Sequence, residues 1–212
     1  MSLSNQGRYN GVAMSFHWII ALLILGNLLL GYWFAWLEDN PLQPGGATPA
    51  GFEAFMRTWP RIELVNVHKT IGMLILILSV LRLGWRLMNP PPPLQADLKP
   101  WEKMLAHTVH WSLYAFMIGM PLVGWAMVSG SARYHVNPIN LFGLQVPAFP
   151  FVPTTPHNAV RNVLTAVHTD WLPWLFWLLF ALHILGALKH QFLDKDGEFG
   201  RMLPFLRRPG LA

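Results

Sequence analysis

The segment HTDWLPWLFWLLFALHILGALKH, from His168 to His190, decides how the rest of the chain is read. Between Trp171 and Leu188 its only ionisable residue is His183. A helix needs about 20 mostly apolar residues to cross a bilayer, and this segment is long enough. An ionisable side chain inside such a span is expensive and marks a functional site by default. His183 follows His168 by fifteen residues, which is roughly 22 Å along a helix rising about 1.5 Å per residue. Their angular offset is about 60° at 3.6 residues per turn, so both side chains can face one bundle axis.

Similar apolar stretches lie upstream. The sequence predicts spanning helices over 12–36, 66–87, 104–128 and 169–190, with long connections at 37–65 and 129–168. The first and third carry no charged residue, and the second has Lys69 and Arg82 near its ends. The uncharged stretch from Tyr134 to Val160 contains Pro138, Pro147, Pro150, Pro153 and Pro156. Proline removes a backbone donor and breaks helices, so this stretch reads as an ordered loop lying on the bundle. MNPPPPLQADLKP, after the second helix, reads as a stiff connection. The expected fold is an all-α, integral membrane four-helix bundle forming one domain over 1–212.

Composition agrees with a membrane chain. Hydrophobic residues make up 53% and charged residues 12%, against roughly 25% charged in soluble domains. The 11 Trp and 13 Phe suit aromatic belts at two membrane interfaces. There is no cysteine, which excludes disulfides, iron–sulfur clusters and covalently attached c-type haem. The net charge of +5 has no Lys/Arg run behind it, so nucleic acid is not the expected partner. The N-terminal MSLSNQGRYNG lacks the pattern of a secretory signal.

With four spans both termini share one side. Ten Lys and Arg lie on that side: Arg8, Arg82, Arg86, Lys99, Lys103, Lys189, Lys195, Arg201, Arg207 and Arg208. Five lie on the other: Arg57, Arg61, Lys69, Arg133 and Arg161. Positive residues favour the cytoplasm, so both termini are expected there and both long connections outside.

The histidines then sort by depth. His68 and His168 lie near the outer end of their helices. His17, His107, His110 and His183 lie near the cytoplasmic end, and His190 at the cytoplasmic exit. Two His on one helix at this separation suit two haems b stacked across the bilayer, one per leaflet. The expected axial pairs are His68 with His168 and His17 with His183, with His110 competing for the inner position. Zinc would need three or four clustered ligands, which this spacing does not give. Gly31, Gly72, Gly119, Gly124 and Gly186 interrupt bulky helices, where a backbone can approach a macrocycle or a neighbouring helix closely. His110 and His190 could line a quinone pocket. Arg82 and Arg86 could pair with haem propionates or snorkel to lipid phosphate. His107, His135 and His157 read as surface or loop residues. Asp170 reads either as a partner of a ligand His or as a helix-start charge.

SFHW at Ser15–Trp18, VHKTIG at Val67–Gly72, AHTVHW at Ala106–Trp111 and LHILGALKH at Leu182–His190 together resemble the bacterial cytochrome b561 family. The resemblance covers nearly the whole chain and is nearest to the superoxide-oxidising members. It implies two haems b, with the fourth helix supplying one ligand to each: His68 with His168, and His17 with His183. It also implies a ubiquinone site on the cytoplasmic side, with His190 at the matching position and His110 beside it. The His168–His183 spacing is one residue longer than the family's, and a local bulge at Pro173 would absorb it. The expected activity is electron transfer from an outer donor to ubiquinone, the donor being superoxide oxidised to dioxygen. The five outer basic residues could steer that anion. The alternative is a cytochrome b relay subunit, passing electrons between a partner dehydrogenase or hydrogenase and quinone. Membrane lipid is a partner in either case.

Overall fold

The computed structural model describes residues 7–41, 50–93, 98–134, 136–150, 152–153, 159–195 and 199–203. His135, His157, Arg207 and Arg208 lie outside the described residues. Four helices among those described are long and apolar enough to cross a membrane. They are α1 (Gly11–Asp39), α3 (Arg61–Met88), α4 (Pro100–Ser129) and a compound helix over Ala159–Asp194. A short helix, α2 (Gly51–Met56), lies in the first long connection.

The helices overrun the apolar stretches because polar residues cap them. Asn10 Oδ1 accepts the Ala13 N–H at 2.8 Å and starts α1. Pro60 precedes α3, which starts at Arg61, five residues before the expected span, and Glu63 in the first turn suits the positive end of the helix dipole. Pro100 opens α4, where a missing N–H costs nothing, and Glu102 reaches back to the Lys99 N–H at 2.9 Å.

The fourth span departs most from the sequence expectation. It begins at Ala159 and so takes ten residues from the predicted 129–168 loop. The sequence AVRNVLTA forms α5 (Ala159–Ala166). This polar first part hid the helix from an apolar-run reading. A π-helical turn follows over Val167–Trp171, then α6 (Leu172–Lys189), and then a second π turn over His190–Asp194. The Leu172 N–H bonds to the Val167 carbonyl, five residues back. Pro173 beside it has no N–H to give Thr169, four residues back. A π turn carries one extra residue per turn. The bulge expected at Pro173 therefore sits one turn earlier, around His168 itself.

The described residues nearest the two termini, 7–10 and 199–203, meet at one end of the bundle, here called the terminal face. Arg201 is buried there; its Nε donates to the Gly7 carbonyl and its Nη2 to the Pro93 carbonyl at 3.0 Å. Trp18 Nε1 donates to the Met202 carbonyl at 2.9 Å. At the opposite end, the loop face, residues 130–134 and 136–150 fold onto α3 and α4. A small antiparallel hairpin, β1 (Asn140–Leu141) and β2 (Leu144–Gln145), forms within this stretch. Tyr134 and Ile139 of this loop are buried against Met73 and Leu76 of α3. Trp125 Nε1 and Tyr134 OH both donate to the Pro147 carbonyl. Phe149 N–H donates to the fully buried Ser129 hydroxyl at 2.8 Å.

The interior is layered along the bundle. Met73, Leu76, Tyr134 and Ile139 pack toward the loop face. Phe116, Phe176 and Leu179 join α4 to α6. Ile20, Tyr114 and Met117 pack toward the terminal face. The outward faces stay apolar and exposed, with Leu22 at 69% and Leu178 at 58%, as lipid-facing positions require.

Candidate functional site

His68 of α3 and His168 of the π turn meet toward the loop face, with ring centres 6.2 Å apart and planes at 90°. His17 of α1 and His183 of α6 meet toward the terminal face, with ring centres 6.0 Å apart. A metal–imidazole bond is about 2.0 Å and a ring centre lies about 1.1 Å behind its nitrogen, so two imidazoles facing each other across one metal stand about 6 Å apart. Both pairs have this spacing. His110 of α4 also reaches His183, with ring centres 5.4 Å apart, closer than that arrangement allows.

The surroundings of the two pairs differ. His68 Nδ1 lies 3.0 Å from the Asn27 carbonyl, which can only accept. The ring therefore holds its proton on Nδ1 and leaves the Nε2 lone pair free, the arrangement that fixes a metal-binding histidine. Phe34 packs edge-on against the same ring, with centres 5.2 Å apart. His168 sits against Gly124 of α4, where an added Cβ would lie only 2.8 Å from Cε1 of the ring. On the other side, an added Cβ at Gly31 would lie 3.5 Å from Cε1 of His68. Gly72 faces Asn27, whereas Gly119 and Gly186 have no close neighbour. Close approach to a histidine thus requires one of the five glycines singled out in the sequence, Gly124, whereas a methyl at Gly31 would make ordinary contact.

At the terminal face, Arg82 Nη2 donates to His17 Nδ1 at 3.2 Å. Arginine only donates, so Nδ1 accepts and the ring proton sits on Nε2. Metal binding through Nε2 requires that proton to move to Nδ1 and Arg82 to turn to another acceptor. Arg82 also stacks on Tyr114, with Cζ 5.2 Å from the ring centre, and Arg86 stacks on Tyr114 and Trp111. No Asp or Glu among the described residues pairs with either arginine. Two cations inside a spanning bundle and lacking an anion suit an anionic group, such as a haem propionate.

Other residues take plainer places. His190 Nδ1 lies 3.1 Å from Asp194 across the second π turn, and Lys189 ties Asp194 to Glu102 of α4. His107 is exposed. Asp170 does not serve His168, since its carboxylate takes the Thr169 hydroxyl at 2.6 Å; nor is it a helix-start charge, because the compound helix already begins at Ala159. Among the loop-face cations, Arg57 pairs with Glu53 and Arg61 with Glu38, which weakens their pull on an anion. Sequence reasoning missed Asn27, which serves His68 through its backbone carbonyl and so leaves no side-chain signal of that role.

Paired imidazoles spaced for a metal, inside a four-span bundle, define a membrane protein of the haem-binding electron-transfer class. A match to the family described as prokaryotic cytochrome b561 covers residues 8–205. Cytochrome b561 homolog 2 of Escherichia coli (strain K12) is 29% identical over 205 residues, covering 96% of this chain and 95% of that protein. The probable superoxide oxidase CybB of Yersinia pestis is 25% identical over 197 residues, covering 93% and 96%. Cytochrome b561 homolog 1 of Escherichia coli (strain K12) is 24% identical over 202 residues, covering 94% and 98%. The chain belongs to the prokaryotic cytochrome b561 family. It is a multi-pass bacterial membrane protein of a family that binds b-type haem and transfers electrons.

Proposed function

We propose that this chain holds two haems b and transfers electrons across the bacterial inner membrane, from superoxide at the loop face to ubiquinone at the terminal face. In balance, two superoxide ions lose one electron each and leave as dioxygen, while one quinone gains two electrons and two protons. The carrying observation is the spacing of the two histidine pairs, 6.2 Å and 6.0 Å between ring centres, toward opposite ends of the bundle.

When bound, haem supplies an iron that alternates between ferrous and ferric states. The chain's own residues bind and orient it. His68 and His168 would hold a haem toward the loop face, with the Asn27 carbonyl fixing the His68 ring. His17 and His183 would hold a second haem toward the terminal face, where Arg82 and Arg86 would offer donors to propionates. His110 stands beside His183 and His190 at the end of the same helix, flanking the proposed quinone site. The ten cations on the terminal side favour the cytoplasm for that face, from which quinone would take its protons. The superoxide assignment is supported by the relative named as a probable superoxide oxidase.

Purified protein supplied with a superoxide generator and a soluble ubiquinone tests this reading. Quinol formed at one per two superoxide consumed, with no other protein present, supports it. Haem-replete protein that reduces quinone only when a partner dehydrogenase or hydrogenase is added overturns the superoxide assignment in favour of a relay subunit.

A further inference from the structure

The second π turn gathers a set of charged and polar side chains at the terminal end of the fourth span. Its closing bond runs from the Lys195 N–H to the His190 carbonyl, five residues back, and Lys195 leaves the helix with a left-handed φ of 55°. An α-helix turns about 100° per residue, so residues five apart point about 140° away from each other. A π turn repeats over five residues and brings such a pair together. Lys189 and Asp194 are five apart, and their side chains meet at 2.5 Å. His190 Nδ1 lies 3.1 Å from the same carboxylate oxygen. Lys189 also reaches Glu102 of α4 at 2.9 Å, which fastens the turn to the neighbouring helix. An uninterrupted α-helix would leave Lys189 on another side from Asp194 and would break this link.

The arrangement has a chemical consequence for His190. A carboxylate only accepts, so Asp194 keeps one ring proton on Nδ1. Nε2 is then the nitrogen that takes up and gives away the second proton. A carboxylate that orients an imidazole and stabilises its charged form is the usual support of a histidine acid. Lys189 and Asp194 of its own helix and Glu102 of α4 are the charged groups gathered here. Asp194 is exposed and His190 half-buried, so the dyad leads from water into the edge of the span.

We propose that Asp194 is the positioning residue that makes His190 the proton donor to quinone, with Lys189 and Glu102 holding Asp194 for that task. This rests on the quinone reading above. With each electron that reaches the quinone, the Nε2–H bond of the imidazolium breaks and its proton goes to a quinone carbonyl oxygen. The ring is left neutral, with Nδ1–H still on Asp194, and water at the terminal face returns a proton to Nε2. Two deliveries with two electrons complete one quinol.

The test uses the full haem-loaded chain in nanodiscs, reduced and freed of reductant, then mixed with increasing concentrations of a short-chain ubiquinone. Asp194→Asn should lower the limiting rate roughly ten- to hundredfold, the loss expected for a hydrogen bond to a charged group. The quinone concentration giving half that rate should hold steady, and Asp194→Glu should restore most of the rate. His190→Ala should lose about a hundredfold or more and recover with free imidazole, which replaces the missing acid. Haem content and thermal unfolding, followed in parallel, should match wild type, because the dyad lies seven residues beyond His183. A wild-type rate in Asp194→Asn overturns the proposal. So does a loss seen only as weaker quinone binding, or a His190→Ala variant that imidazole does not rescue. A wild type that reduces no quinone at all overturns the quinone reading itself, and this assignment with it.

Discussion

Gly124→Ala sets two effects of opposite sign against each other. Replacing glycine by alanine inside a helix normally gains about 1 kcal/mol, so propensity alone predicts a more stable α4. The structure predicts the reverse. The added methyl would meet Cε1 of His168 at 2.8 Å, Nδ1 at 3.2 Å and Nε2 at 3.5 Å. Carbon atoms in good contact stand about 3.5–4.0 Å apart, so α4 or the ring must move by about 0.7 Å or more. Overpacking of this kind costs about 1–3 kcal/mol, and here it displaces an imidazole whose position sets the loop-face pair. A 2 kcal/mol loss weakens binding roughly thirtyfold. Gly31→Ala is the control, because its methyl would meet His68 at an ordinary 3.5 Å. Haem per chain, measured on purified protein, should fall toward one in Gly124→Ala and stay at two in Gly31→Ala. Full haem content with an unshifted spectrum in Gly124→Ala, or equal loss in both variants, would refute the reasoning.

The remaining predictions concern other positions. Ser79→Ala removes a buried hydroxyl with no partner among the described residues; it should raise stability by about 1 kcal/mol in thermal unfolding, and a clear loss would show that the hydroxyl is bonded. Arg201→Lys cannot serve both the Gly7 and Pro93 carbonyls with one ammonium; it should lose about 2 kcal/mol and expose the proline-rich connection to protease sooner. His110→Ala should keep both haems, because its ring stands too close to His183 to share a metal with it, whereas His17→Ala should lose one.

The four spans were legible because bilayer thickness dictates the length of an apolar run, and WLPWLFWLLFALHILGAL leaves no other reading. The histidine pairs were legible because depth along a straight span can be counted in residues. What escaped depended on contacts between helices. AVRNVLTA is too polar to register as part of a span, yet it continues the helix beyond the apolar core. The spacing of His168 and His183 signalled one surplus residue. Only the packed structure puts it in the turn at Val167–Trp171, where Pro173 withholds the next donor. Gly124 and Gly119 look alike in sequence, but only Gly124 lies against a histidine. Asn27 serves His68 through its backbone carbonyl, which no side-chain pattern records.

Haem stoichiometry, with a reduced-minus-oxidised spectrum, bears most directly on the account when taken across wild type and single alanine variants of His17, His68, His168 and His183. The account predicts two b-type haems in wild type, one in each variant, and the same surviving species within each pair. A colourless wild type, or both haems intact after loss of His68 or His168, would contradict it.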